Sequence, residues 1–316
     1  MKTQIKSTVY DAAHQTAVLV DRSDLGMLKF NGETRLDLIN RMSTQAVNGL
    51  QSGEGAATIL TTDIGRIIDR LILYVSSDTV YALTGESNSD NVARYLMRFV
   101  FFMDDFHIQD ISAETAVFAV YGPQALAILS EQVGFPVVDM PMHHWRKAEI
   151  GGTASYLHRT DPINGYGYFI MCEADKSDAL LQFLGETDLV TADEAAFDLL
   201  RIEAGLPRFG REMTGDYIPL ETGLWDDVSF TKGCYTGQEI IARMESRGKL
   251  AKRLIELRPA AEVAPGNPVF AGGKRVGSIT SAAVGPKGPV ALAYVKTAVL
   301  ENGSELYIED TPVSFS

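Results

Sequence analysis

Cysteine is scarce in this chain, which has two in 316 residues, Cys172 and Cys234. Two cysteines cannot build the disulfide framework of a small secreted domain, and they are too few to supply the thiolates that a resident iron–sulfur cluster normally uses. The five histidines include an adjacent pair, His143 and His144, which lacks metal-ligand spacing and has no neighbouring cysteine. The sequence therefore predicts surface-loop histidines and no resident metal centre.

Long apolar runs are missing as well. No run approaches the roughly 18–20 residues that a bilayer crossing requires, and residues 1–11 lack the apolar segment of a secretory signal. No glycine-rich dinucleotide motif follows a predicted strand, and no P-loop is present. We therefore expect a cytoplasmic protein with no membrane partner, and we find no support for dinucleotide or ATP chemistry.

The chain is long enough for two or three packed subdomains, with 46% hydrophobic and 22% charged residues. Strands alternate with helices over most of it, including a strand pair at 57–61 and 67–75 and a helix at 191–205. After residue 250, short strands separated by Gly/Pro-rich turns predict a small barrel or sandwich. We expect an α+β lobe at 1–115, which includes part of 190–250 if it is discontinuous, a second at 116–190, a motif segment at 191–250 and a β-structure at 251–316.

The motif segment contains the octapeptide Lys232–Glu239, in which Thr236 and Glu239 have the form of a capping box. If Thr236 caps the following helix, Cys234 lies just outside the positive helix end with Lys232 nearby, and both favour a thiolate. No histidine stands close in sequence to act as a base, so redox or thiol-exchange chemistry suits this cysteine better than hydrolysis. The alternative is a buried, inert cysteine in the turn.

The octapeptide, the Arg-x-Glu-Ala-Gly element at 201–205 and the Ile-Pro element at 218–219 together resemble the YgfZ family of folate-binding proteins. That family is associated with iron–sulfur cluster assembly and tRNA modification, and it is related to the T-protein of the glycine cleavage system, a tetrahydrofolate-dependent aminomethyltransferase. Residues 21–32 and 60–74 carry a weaker resemblance to the T-protein superfamily. The resemblance implies an α+β fold with two lobes around a central folate channel and a small C-terminal β-barrel.

The resemblance also implies site residues and a ligand, tetrahydrofolate or a derivative. A carboxylate can accept the amide N–H and the 2-amino group of a pterin together, and Glu203 is the residue expected to do so. The alternative is a helix-surface glutamate paired with Arg201. The further cofactor-binding candidates are Arg201, Lys232, Tyr235 and Gln238, and the catalytic candidates are Cys234 and Asp69.

Asp69 matches the first acid of an Asp-Asp pair that T-proteins carry, and Arg70 stands at the second position. Asp69 could support the N5 or N10 region of a folate, or it could be a hairpin acid partnered by Arg66 or Arg70. Arg70 counts against aminomethyl transfer. We therefore expect an accessory protein for iron–sulfur enzymes, including tRNA-modifying ones, with an aminomethyl or one-carbon transferase as the alternative.

Charge is unevenly distributed along a chain whose formal net charge is −13. Residues 232–296 hold 11 Lys and Arg against 4 Asp and Glu, and this excess predicts a patch that meets a polyanion such as a polyglutamylated folate tail or tRNA. An ordinary solvated helix end and basic strand is the other interpretation. A third hypothesis follows, a tRNA- or partner-binding module with a vestigial folate site. The patch comprises Arg243, Arg247, Lys249, Lys252 and Arg253.

Overall fold

The computed structural model describes residues 7–309 and 311–315, without the side chains of Ser7 and Arg247. Every helix in these ranges is too short or too polar to cross a membrane. The helices are α1 Ser7–Gln15, α2 Arg35–Met42, α3 Ser89–Met97, α4 Ala125–Gln132, α5 Ser177–Gly185, α6 Glu194–Glu203, α7 Gln238–Arg247 and α8 Thr297–Glu301.

The strands form two sheets and a closed barrel. The five-stranded sheet has the order β3-β4-β5-β2-β6, the six-stranded sheet β11-β1-β7-β10-β9-β8, and the barrel β12-β15-β14-β13-β16-β17. The strands are β1 Val18–Asp21, β2 Leu25–Asn31, β3 Gly55–Thr61, β4 Ile67–Val75, β5 Val80–Glu86, β6 His107–Asp110, β7 Thr115–Gly122, β8 Trp145–Ile150, β9 Thr153–Ile163, β10 Tyr166–Glu173, β11 Val190–Ala192, β12 Lys252–Pro259, β13 Pro268–Ala271, β14 Lys274–Gly285, β15 Gly288–Lys296, β16 Leu306–Ile308 and β17 Thr311–Phe315.

The expected architecture of two α+β lobes and a C-terminal β-barrel is confirmed. The first two strands belong to different sheets. β1 pairs with β7 and β11 in the six-stranded sheet, whereas β2 pairs with β5 and β6 in the five-stranded one. The first lobe thus begins at β2, and β1 belongs with the strands that follow residue 115.

The two sheets face each other across the largest shared core. Ile72 and Tyr74 of β4 pack in it together with Phe169 and Met171 of β10. The opposite face of β4, with Leu71 and Leu73, packs in a separate core beneath α2 and α3. Since β4 is buried on both faces, it reads as a nearly continuous apolar run.

Helix α6 joins the lobes to the barrel. Its first turn is capped by Asp193, whose carboxylate accepts a hydrogen bond from Ala196 N at 2.9 Å, and its buried side contacts β14 and β15. Residues 204–237, the linking segment, then run as turns across the lobes before α7 begins. This segment supplies one wall of the candidate site.

The predicted capping box at the start of α7 is wrong. The N-cap is Gly237, with φ +84°, and the Thr236 hydroxyl lies 3.7 Å from Met42 Sδ instead of at the helix amides. A Cβ at position 237 would lie 2.5 Å from the carbonyl oxygen of Thr62. Close packing against the hairpin turn therefore requires a glycine there, and the helix starts one residue later than predicted.

Candidate functional site

A central cavity lies where the two sheets, the linking segment and the barrel meet. It has two adjoining parts of about 140 and 300 Å³, and Arg70 and Asp161 line both. The smaller part is walled by apolar side chains of both lobes and of the linking segment, among them Leu83, Phe169 and Phe209. Such an apolar chamber with a few convergent polar groups is the usual form of a small-molecule site.

Arg70 lines both parts of this cavity and connects three parts of the chain. Its Nη1 donates to Asp161 Oδ2 of β9 at 2.6 Å, and its Nε donates to Asp227 Oδ2 of the linking segment at 2.6 Å. Burial alone would raise the pKa of Asp161, but the Arg70 guanidinium lowers it to about 2. The carboxylate is therefore ionised at physiological pH, and its side chain is 30% exposed.

A second group of charges lines the smaller part. Arg22 and Arg208 both donate to Glu86 Oε1, at 2.7 and 2.6 Å, and both guanidinium groups lie over the ring of Phe197. These cation–π contacts and the shared carboxylate hold the two arginines in place. The cavity thus presents planar apolar surfaces beside fixed charges.

Asp69 points to the face of β4 opposite Arg70. Its side chain is fully buried, and its carboxylate accepts hydrogen bonds from Asn88 Nδ2 at 2.9 Å and from the amides of Gly85 and Arg70. Burial raises the pKa of Asp69 to about 7, although these donors favour the carboxylate. The alternative, a hairpin acid partnered by the side chain of Arg66 or Arg70, is wrong, because Arg70 binds Asp161 and Asp227, and Arg66 Nη1 donates to the carbonyl of Asp216.

Glu203 and Arg201, two residues apart on α6, face different surroundings. The Glu203 carboxylate accepts from Tyr10 Oη of α1 at 2.9 Å and pairs with Arg258 of β12 at 3.2 Å. Arg201 lines the central cavity, but its guanidinium binds Asp198 and Glu212. The alternative pairing of Glu203 with Arg201 is therefore wrong, and Glu203 as a pterin ligand stays a prediction.

The octapeptide loop is anchored to the end of α2. Lys232 Nζ donates to the carbonyls of Asn40, Ser43 and Gln45 at 2.6, 2.7 and 2.8 Å, and it lies 5.1 Å from the ring centroid of Tyr235. Burial lowers the pKa of Lys232 to about 8, while the three carbonyl oxygens favour its charged form.

Cys234 is exposed on this loop, and Cys172 is buried in β10. The interpretation of Cys234 as a buried cysteine is therefore wrong. Burial raises the pKa of Cys172 to about 11. The structure separates Cys234 and Tyr235 from Arg201, since the first two lie on the loop beside α2 and Arg201 lines the central cavity; Gln238 opens α7.

The basic residues after Cys234 differ in their surroundings. Arg243 pairs with Glu239 one turn earlier on α7, and Lys252 lies over the ring of Tyr217 at 4.2 Å. Lys249 and Arg253 are exposed, and the side chain of Arg247 lies outside the described part of the structure. Lys252 is thus committed to packing and is a weaker candidate for a polyanion contact than its neighbours.

The histidine pair does not form a metal site with other ligands in the described ranges. The loop placement of His143 and His144 is confirmed, but both are partly buried. The His143 ring stacks at 5.9 Å on His158, whose Nδ1 lies 2.9 Å from Tyr74 Oη. Burial lowers the pKa of His143 and, further, that of His158, so both are neutral at physiological pH.

Two lobes and a closed C-terminal barrel of this topology are shared with a known class of proteins. The family model of the GCVT N-terminal domain matches residues 4–232, and that of the glycine cleavage T-protein C-terminal barrel domain matches residues 252–312. The chain belongs to the glycine cleavage T-protein family.

Relatives of known name are similar over nearly the whole chain. An aminomethyltransferase of Geobacillus kaustophilus is 28% identical over 311 residues, which cover 95% of this chain and 85% of that protein. A chloroplastic protein of Arabidopsis thaliana that is provisionally named a transferase is 26% identical and covers 94% of this chain and 69% of its own length. The crystal structure of aminomethyltransferase T from Bartonella henselae superposes with a TM-score of 0.83 at 22% identity, covering 98% of this chain and 87% of that one, and so shows the same fold.

Sequence reasoning missed most of the cavity's charged residues. Asp161 precedes a proline at the end of a strand, and Asp227 lies in an acidic pair, and neither has a motif spacing. Arg70 was noticed only as a departure from the T-protein pattern. An arginine on a buried strand indicates a carboxylate partner elsewhere in the chain, because arginine is almost never buried without one.

Proposed function

We propose that this protein binds a reduced folate in the central cavity and acts as a YgfZ-like accessory protein that supports assembly or maintenance of iron–sulfur enzymes, including tRNA-modifying ones. Membership of the T-protein family supports the folate. The observation that carries the proposal is the Arg70 guanidinium, which lines both parts of the cavity and is neutralised by Asp161 and Asp227.

The cavity contains a carboxylate suited to a pterin. Asp161 is ionised, and Arg70 occupies its Oδ2, so Oδ1 is the oxygen to which a further donor adds. One or both donors on the pyrimidine edge of a pterin fit this acceptor. Phe169 and Phe197 supply aromatic wall in the same part of the cavity, against which a flat ring packs.

Glu203 is the competing pterin ligand, proposed from the resemblance. For Glu203 to bind a pterin, its carboxylate would have to exchange Tyr10 and Arg258 for the ligand, since both partners already hold it. Breaking these contacts costs free energy, whereas Asp161 can accept a donor on Oδ1 without losing Arg70. We therefore rank Asp161 above Glu203 and retain both for the test.

The T-protein alternative, an aminomethyl or one-carbon transferase, is favoured by the names of the relatives and by Asp69, whose pKa of about 7 suits a proton-transfer group. Against it, Asp69 is fully buried behind β4, and Arg70 faces the cavity. The proposed accessory role instead uses Cys234 as an accessible thiol on a loop that Lys232 and Tyr235 hold in place. We expect this role in the cytoplasm.

Calorimetry with tetrahydrofolate and 5-formyl-tetrahydrofolate tests the binding site. We expect Asp161→Asn to weaken binding at least tenfold, about 1.4 kcal/mol, and the exposed control Asp216→Asn to leave it unchanged. A tenfold loss in Glu203→Gln with none in Asp161→Asn would overturn the order of the two ligands. No binding by the wild type would refute the folate site and leave the third hypothesis, a tRNA- or partner-binding module.

Two assays separate the remaining functions. Turnover with an aminomethyl carrier protein and tetrahydrofolate would establish the transferase and contradict the accessory proposal. In cells that lack this protein, we expect the wild type and Cys172→Ser to restore an iron–sulfur tRNA-modifying activity and Cys234→Ser to fail. For the third hypothesis, tRNA binding that survives charge reversal at Arg243, Arg247 and Lys249 would exclude the basic region as its site.

A further inference from the structure

A second and larger cavity opens between the two sheets. It has a volume of about 730 Å³ and is lined by β2, β5 and β6 on one side and by β8, β9 and β10 on the other. None of its lining residues lines the central cavity. It is therefore a separate site, large enough for a drug-sized molecule.

Four aromatic side chains contribute to its walls, Tyr74 and Tyr81 from the five-stranded sheet and Trp145 and Tyr156 from the six-stranded sheet. The Trp145 indole donates to the carbonyl of Val75 at 3.2 Å and meets the ring of Tyr156 edge-on, with centroids 5.3 Å apart. Tyr74 Oη lies 2.9 Å from His158 Nδ1. These contacts hold three of the rings in fixed orientations, so little entropy is lost when a ligand packs on them.

The rim of this cavity is acidic. Glu114, Glu173 and Asp175 line it together with one lysine, Lys29. Asp175 pairs with the exposed Lys176, whereas Glu114 and Glu173 form no ion pair within the described ranges. Burial raises the pKa of Tyr81, so the phenol is neutral at physiological pH and adds no charge to the wall. Three carboxylates against the single ammonium of Lys29 leave an excess of negative charge, so the neutral aromatic faces below them favour a cation over an anion.

We propose that this aromatic cavity binds a flat organic cation, with its ring against Tyr156 and Trp145 and its charge toward Glu114 and Glu173. A neutral aromatic compound of the same shape would keep the packing and lose the attraction of the carboxylates and of the ring faces. An anionic ligand such as a folate would be repelled at the rim. The site thus differs in ligand class from the one proposed for the central cavity.

The chain offers a clean optical test, because it has two tryptophans and only Trp145 lines this cavity. In a Trp225→Phe background, all tryptophan fluorescence comes from Trp145. The probes are the 1-methylquinolinium cation and neutral quinoline at pH 7.5, with affinities measured by calorimetry and the site reported by the change in Trp145 emission. We expect the cation to bind in the micromolar range and at least fivefold more tightly than quinoline.

Variants separate the contribution of the aromatic rings from that of the carboxylates. We expect Tyr156→Leu to weaken cation binding at least fivefold and Tyr156→Phe, which keeps the ring, to retain it. Glu173→Gln should weaken binding, and the exposed Glu149→Gln on neighbouring β8 should not. The proposal fails if the cation does not bind below millimolar concentration, if quinoline binds equally well, or if Tyr156→Leu binds like the wild type with an unchanged melting temperature.

Discussion

Asp69 and Arg70 are neighbours in sequence and occupy opposite faces of β4, the aspartate in the core beneath α3 and the arginine in the central cavity. The carboxylate of Asp69 is held by Asn88 and the Gly85 amide, and the guanidinium of Arg70 by Asp161 and Asp227. The packing inside the first lobe depends on the protonation state of Asp69. Arg70 instead connects the two lobes with the linking segment. They therefore respond to different perturbations.

Asp69 should make stability depend on pH. Its pKa is about 7 in the folded protein and 3.8 for an unperturbed aspartate. The folded state therefore binds more protons between these values, and the free energy of unfolding falls as pH rises from about 4 to 7. The full difference is on the order of 4 kcal/mol at most. Below pH 6.5, the lowered pKa values of His143 and His158 have the opposite effect and make the free energy of unfolding rise with pH. The contribution of Asp69 is therefore measured as a difference between the wild type and a variant.

That variant is Asp69→Asn, measured by urea unfolding at pH 4.5, 5.5, 6.5 and 7.5. We expect the advantage of the wild type over the variant to shrink steadily across this series. Equal pH slopes for the two proteins would show that Asp69 does not change its protonation on folding.

Arg70→Met should destabilise the protein by about 3 kcal/mol, because it leaves the buried carboxylate of Asp227 and the partly exposed carboxylate of Asp161 without their partner. Adding Asp227→Asn to Arg70→Met should recover part of the loss, since one unpaired charge is removed. Urea unfolding of the two single variants and the double variant measures this coupling. Strictly additive effects would mean that the ion pair contributes nothing specific.

Lys232→Met should cost about 2–3 kcal/mol, because three carbonyl oxygens at the end of α2 lose a charged donor while the aliphatic stem is kept. The matched control is Lys249→Met, which removes an exposed ammonium in the same region. Thermal and urea unfolding compare the two. A loss of the same size in both variants would indicate an effect of net charge instead of the anchoring contacts.

The two cysteines should differ sharply toward a thiol reagent. One thiol per chain should react with 5,5′-dithiobis(2-nitrobenzoate) in the native protein and two in urea, since Cys234 is exposed and Cys172 is 4% exposed with a pKa of about 11. Cys234→Ser should abolish the native reaction. A fast native reaction that persists in this variant would show that the reagent reaches Cys172, which lines the cavity between the two sheets.

Much of the fold could be predicted from local sequence. The strand at 67–75 was predicted over the same residues as β4, and the turn-separated strands after residue 250 do form a barrel. The sequence could not show that β1 leaves its neighbours to pair with β7, because strand partners are chosen by long-range packing. The short helix α1 was missed as well, and it is stabilised by contacts with α6 and β7.

The site was harder to predict for a geometric reason. Both faces of β4 are buried, so hydrophobic alternation could not reveal that Arg70, and not Asp69, faces the cavity. On α6, residues 201 and 203 were both assigned to the ligand, although positions two apart lie on roughly opposite sides of a helix. Asp161 and Asp227 come together only because β9 and the linking segment meet at Arg70.

The polar contact between α6 and the barrel has a consequence for how this protein folds. Arg201 binds Glu212 of the linking segment, and both side chains hydrogen-bond to Ser281 of β14, with all three buried. A chain cut near residue 250 would lack Ser281 and would expose to water both this ion pair and the face of α6 that packs on β14 and β15. We therefore expect the two domains that the family models distinguish to unfold together, in a single transition.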